Sequence, residues 1–343
     1  MIKFVKNMSR LKKVCGLLLS ILIFVMMFSG CGKDSPQDVK TGLQAKLNGL
    51  ESYRSEGEMI IHSPVKSTTY KVKVAFRKPH FYRIELESKD RAMRQTVIRN
   101  DEGVFLVTPN LNKTFRFQSN WPTPQGQVYL YQTLLSAILS DSNGKITPSE
   151  NGADVKFSVM AKYPHHILTS QNIVLDAKTY SPKIVEVLDE KSRSRITVTF
   201  TKHEENISFA ADAFQVPTRT NPVTPQVTPK TTVSIHEPAY QPGGVAKYDE
   251  QTFEYGGKET LVQRFAGSYD YSVWSSLPGV ATEPLTTVAE SLVDLDAGFG
   301  LMESTDQLVW WQDGLEYRLH TSELPINEMI QVADSIDVWS QKP

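Results

Sequence analysis

Few residues in this 343-residue chain combine the types and spacing that chemistry requires. Its two cysteines are Cys15 and Cys31. Cys15 lies in an apolar run, whereas Cys31 follows the small pair Ser29-Gly30 and precedes the polar stretch GKDSPQD. No other cysteine follows Cys31, so the chain beyond it can form no internal disulfide. His165 and His166 are the only adjacent histidines. Neighbours on a strand point to opposite faces, so the two cannot easily ligate one ion and read as a loop or strand edge. His203-Glu204-Glu205 reads as a solvated turn. There is no Gly-x-Ser-x-Gly and no His-Glu-x-x-His, and Asn143-Gly144-Lys145 lacks the flanking residues of a phosphate loop. Beyond Cys31 the chain offers no thiol nucleophile. We therefore expect no enzyme: no catalytic residue, no metal site and no cofactor.

The residues around Cys31 belong to an address. Five Lys or Arg and no acid precede Ser29, and Val14–Phe28 is nearly all apolar, as in the n- and h-regions of an export signal. The small pair followed by cysteine resembles the lipobox of bacterial lipoproteins, with Phe28 in place of the usual leucine. That resemblance implies a diacylglyceryl group on the Cys31 thiol and cleavage before it. It places the chain on the extracytoplasmic face of the cell membrane, since two or more acyl chains anchor stably. Residues 1–30 are then the signal peptide and 31–35 the lipidated tether. Without residues 1–30 the chain carries 32 basic against 38 acidic residues, a balance that argues against nucleic acid as a partner. No later apolar run approaches the length of a spanning helix.

Ser35-Pro36-Gln37-Asp38 reads as a helix start, with Val39, Leu43, Leu47 and Leu50 on one stripe. From Gly57 the period becomes two. TTYKVKVAF puts Tyr70, Val72, Val74 and Phe76 on one side and Lys71 and Lys73 on a solvated one; Tyr82, Ile84 and Leu86 alternate likewise. RQTVIR, GVFLVT and KTFRFQ follow, then a helix over Gln127–Asp141 with Leu134, Leu135 and Ile138 on a wide apolar face. DVKFSVMA, QNIVLDA and the hairpin PKIVEVLDE/SRITVTFTKH resume the strands. We expect a mainly β, α+β chain: residues 36–217 a curved antiparallel half-barrel with covering helices, and 218–231 a Pro/Thr-rich spacer. Residues 232–343 read as a small α+β domain. Its strands are ETLVQRFAG and YDYSVWSS, then QLVWWQDG and LEYRLHTS, and its terminal helix opens at Pro325 with Ile326, Met329, Ile330, Ala333 and Ile336 facing inward.

The ordered set of elements resembles the LolA/LolB lipoprotein-carrier fold, shared by RseB/MucB stress sensors. The residues that carry it are Leu47–Tyr53, Phe76-Arg77-Lys78-Pro79 with Phe81 and Tyr82, Asn100–Gly103, Asn110–Lys113, and Ala213-Phe214 before Val216-Pro217 as a last strand. The second part, with Trp310, Asp313-Gly314, Tyr317 and a closing helix, resembles a small module of Gram-positive surface proteins. The layout as a whole is similar to sporulation lipoproteins of the YdcC and GerS type. This resemblance implies a membrane-tethered binder serving sporulation or envelope assembly. One reading is an acyl-chain or other apolar ligand lined by Tyr70, Val72, Val74, Phe76, Tyr82, Ile84, Leu86, Leu134, Leu135 and Ile138, with the helices at 36–50 and 127–141 as lids. Each buried methylene would contribute about 0.8 kcal/mol. The other is a scaffold or regulator that grips a protein partner; a closed core accounts equally for the apolar positions.

Overall fold

The structure is a computed structural model that describes residues 36–62, 67–89, 94–117, 121, 127–161, 168–217, 237–279, 285–289, 291–295, 298–312 and 314–336. The leader, Cys31 and its tether, His165-His166 and the spacer 218–231 lie outside those residues. The chain divides into two compact units, residues 1–45 and 46–343. In the first, α1 (Pro36–Gly49) begins; Asp38 lies in its first turn, where a helix N-terminus favours an acid, and Val39 and Leu43 are buried.

The second unit is built on strands, as the alternation predicts. β1 (Ser52–Ile61), β2 (Thr68–Arg77), β3 (Phe81–Ser88), β4 (Arg94–Asn100), β5 (Gly103–Thr108) and β6 (Lys113–Phe117) form an antiparallel meander. A second meander runs through β7 (Lys145–Pro148), β8 (Asp154–Met160), β9 (Leu168–Asp176), β10 (Pro182–Asp189) and β11 (Ser194–Glu205), and β11 pairs with β1 to join the two. Turn chemistry fixes the hairpins. Asp176 accepts from the Thr179 and Lys178 amides, which hold its carboxyl down at about 2. Asp189 does the same for Lys191 and Arg193 between β10 and β11; burial alone would raise its carboxyl, but these bonds keep it below the ordinary range.

The apolar run at 127–141 yields a shorter helix than expected. α2 spans Tyr131–Ser140, and residues 128–129 form a turn before it. Leu130 at the N-cap supplies no capping side chain, and ten residues are too few to stand alone in water. Packing holds it: Tyr131, Leu134, Leu135 and Ile138 are buried, at about 2 kcal/mol each. Ala213-Phe214 is not a last strand, because residues 211–215 fold as turns that bury Phe214.

β12 (Ala246–Tyr255), β13 (Lys258–Ala266), β14 (Tyr271–Ser276), β16 (Ser291–Leu295), β17 (Gly298–Ser304), β18 (Gln307–Gln312) and β19 (Leu315–Thr321) form a seven-stranded antiparallel sheet in the order β12-β13-β14-β19-β18-β17-β16. Trp310 stacks on Tyr317 and Phe265 on Tyr271 in its core, which also takes Met329, Ile330 and Ala333 of α3 (Ile326–Asp334). Ile326 is 47% exposed, against expectation; Leu324, just before the helix, is buried instead. One pairing has no signature in the alternation. β15 (Leu285–Ala289), which lies between β14 and β16 in sequence, joins β6 in parallel and becomes the twelfth strand of the first sheet.

Candidate functional site

The strand residues expected to line a ligand fall on one face of the first sheet. The register aligns Tyr53, Phe76 and Tyr82 in one row, and Ser55, Val74, Ile84 and Val97 in the next. Val72, Val74, Phe76, Ile84 and Leu86 are buried, as are Leu134, Leu135 and Ile138 of α2, while Tyr70 and Tyr82 are half-buried. These side chains lie against one another. Phe76 is 5.4 Å from Tyr53 and 4.9 Å from Tyr82, and Tyr82 meets Trp121 edge-on at 6.2 Å. Tyr53 donates to Gln132 Oε1 at 2.7 Å and accepts from the Tyr131 amide, and Gln132 donates to Tyr82. Burial raises the Tyr53 phenol well above its ordinary value and pushes Tyr82 up to about 12, so both stay neutral.

Beside this row lies a chain of polar groups that sequence reasoning misplaced. His203-Glu204-Glu205 is the end of β11 rather than a turn, since β11 continues its pairing with β1 to Tyr53. His203 therefore points inward between the rings of Tyr53 and Tyr131. Its Nδ1 is 2.7 Å from Ser55 Oγ and its Nε2 is 3.2 Å from Glu205 Oε1, and Lys46 donates to Glu205 at 2.9 Å. Burial would raise the Glu205 carboxyl, but His203 and Lys46 outweigh it and hold the group below the carboxylate range. Ser, His and Glu in series are the parts of an acyl-transfer relay. Here Ser55 is 1% exposed and the His203 side chain 3%, so no substrate reaches the hydroxyl. The chain satisfies buried polar groups and fixes β11 against β1. Among the described residues, no group of three or more His, Cys, Asp or Glu is arranged to hold a metal ion.

The opposite face of β1, β2 and β3 carries an open cleft of about 470 Å³, walled on one side by Phe209, Asp212 and Ala213. The register sets its charges. Lys73 stands opposite Glu56 on one neighbour and Glu85 on the other; Ala75 stands between Arg54 and Arg83. Arg83 donates to Glu85 at 2.8 Å, and the Arg54 guanidinium lies over the Phe209 ring at 5.5 Å. Among the described residues, Lys73, Glu56 and Asp212 have no ion-pair partner. The alternation of β2 gave Lys73 its exposure; the facing Arg54 and Arg83 and the 209–213 wall needed the register and the turns, which no local pattern encodes.

A third polar cluster joins the first sheet to the second. The Gln95 amide on β4 donates to Phe299 O and accepts from Phe299 N, so it stands in for a strand partner. Gly298, at φ 130°, gives it room: a Cβ there would lie 2.5 Å from Gln95 Oε1. The Asp294 carboxyl on β16 is enclosed and accepts from Gln127 Nε2 at 2.6 Å. The Trp121 indole faces the same carboxylate but falls short of hydrogen-bond geometry, so Asp294 Oδ1, Gln127 Oε1 and Trp121 Nε1 are without a partner among the described residues. Burial outweighs the Gln127 hydrogen bond and the facing indole and lifts the Asp294 carboxyl to about 6. Phe115–Trp311 and Trp121–Phe299 ring contacts complete the junction.

Among solved structures, MucB in complex with periplasmic MucA is similar over 88% of this chain and 98% of its own, at 16% identity and a TM-score of 0.33. A LolA superfamily protein from Nitrosomonas europaea is similar over 52% of this chain and 97% of its own, at 8% identity and a TM-score of 0.30. In sequence, the sporulation protein YdcC of Bacillus subtilis (strain 168) is 30% identical over 341 residues, which cover 98% of this chain and all of that protein. The family profile described as sporulation protein YdcC-like matches residues 11–214, more than half of the chain. The protein belongs to the YdcC-like family of sporulation proteins.

Proposed function

We propose that this sporulation protein is anchored by lipids on Cys31 to the outer face of the cell membrane and acts there by holding a protein partner. The observation that carries the binding half is the state of the two faces of β1–β3. On one face the apolar positions are occupied by each other's rings and by α2, which leaves little free apolar surface for an acyl chain. On the other face a charged cleft stays open. Mixed charge with an aromatic wall suits a polypeptide better than a hydrocarbon chain, whose burial there would desolvate charges without replacing their hydrogen bonds. The anchor is supported by the basic and apolar leader and by Ser29-Gly30-Cys31.

The test of the anchor is mass spectrometry of the mature N-terminus, where an unmodified Cys31 would refute it. The test of the binding half is crosslinking in membranes of sporulating cells, with a specific protein partner as the expected result. Saturable micromolar binding of a fluorescent fatty acid to the purified protein, with no crosslinked partner, would replace it by the apolar-ligand reading.

A further inference from the structure

The cleft over β1–β3 has a charge pattern that selects its occupant. Arg54, Lys73 and Arg83 supply three cations, and Glu56, Glu85 and Asp212 supply three anions. A uniformly charged partner would meet as much repulsion as attraction there, so only a partner with both signs is complementary. Because β1, β2 and β3 are interior strands, paired on both sides, a partner cannot add to the sheet through its main chain and must be read through side chains. Ala75 is the small residue of its row, standing between Arg54 and Arg83 in the cleft lining. Arg83 is held by Glu85 and Arg54 rests on Phe209, so both planar donors are oriented in advance. Among the described residues, Glu56 and Asp212 carry carboxylates without an ion-pair partner on the same cleft.

We propose that this cleft docks an extended protein segment whose same-side residues alternate between acidic and basic, with an acidic side chain above Ala75 between Arg54 and Arg83, and a basic one against Glu56 and Asp212. This rests on the protein-binding reading above. On an extended segment every second residue faces the same way, so a synthetic (Glu-Ser-Lys-Ser)2 octapeptide presents the pattern, and (Glu-Ser)4 and (Lys-Ser)4 are its uniform controls. Fluorescence anisotropy with the full protein is expected to show the mixed peptide binding best and weakening as salt is raised. Ala75→Leu adds bulk between the two arginines without removing a charge and is expected to weaken binding about tenfold. Arg83→Gln, on a half-buried surface position, is a second variant should Ala75→Leu unfold. Equal binding of the mixed and uniform peptides, or undiminished binding by both variants, overturns the assignment. In crosslinked membranes, a partner retained equally by wild type and Ala75→Leu removes the cleft but leaves the protein-binding reading, whereas no partner with wild type removes that reading itself.

Discussion

Replacing Asp294 by asparagine is expected to change how stability depends on pH. In the unfolded chain this carboxyl titrates near its ordinary value of 3.8; in the folded protein burial lifts it to about 6. Between those values the native state holds a proton that the unfolded state has lost, so stability falls as pH rises through that window and is level above it. The shift of about two units corresponds to roughly 3 kcal/mol at neutral pH. Asparagine keeps the shape, can still accept from Gln127 Nε2, and offers an N–H to the unpartnered Gln127 Oε1. Urea unfolding followed by tryptophan fluorescence should show Asp294→Asn more stable than wild type by up to about 3 kcal/mol near pH 7.5. The difference should shrink toward zero as pH falls to about 4, where both states of the wild-type carboxyl are protonated. A difference independent of pH, or an asparagine variant that is less stable at neutral pH, would refute the assignment of Asp294 as a buried, poorly compensated carboxylate.

Gln95→Leu leaves the Phe299 N–H and C=O buried without partners and should cost about 2–4 kcal/mol in the same unfolding assay. Gly298→Ala forces a Cβ onto the Gln95 amide at a positive φ and should destabilise by about 1–3 kcal/mol. Tyr53→Phe removes the hydroxyl between Gln132 and the Tyr131 amide and should lower stability by about 1–3 kcal/mol, with the far-ultraviolet circular dichroism unchanged before unfolding. Because the folded Glu205 carboxyl is held below its ordinary 4.5, its contribution is present above that pH and lost as pH falls through the lower folded value. Glu205→Gln should therefore be less stable than wild type at neutral pH and approach it in acid, as read by unfolding midpoints.

The strands were legible wherever one face is dry and the other wet. TTYKVKVAF and FYRIELES alternate in sequence as they do in burial, since a period of two has only one way to bury its apolar half. The hairpins β10–β11 and β18–β19 were equally plain from their polar turns. What escaped was long-range or masked by composition. His203 and Glu205 look solvent-bound because charged types usually are; only pairing with β1 reveals that their odd-numbered side is inward. Asp294 and Gln127 lie 167 residues apart, and nothing local marks either as a partner. β15 is absent from the strands read in the sequence, and its parallel partner is chosen by tertiary geometry, with no turn to announce it. The cleft shows the same limit: exposure of Lys73 follows from alternation, but the two arginines beside Ala75 meet only through register.

The parallel seam between β15 and β6 sets an order on assembly. Thr286 and Thr287 meet Thr114 and Phe115 across some 170 residues of chain. Until that late segment has emerged, the rim at Lys113–Phe117 offers bare N–H and C=O groups to any passing strand. A product cut short before residue 285 should thus be sticky rather than merely incomplete, and synthesis from the N-terminus leaves that rim open until β15 has been made.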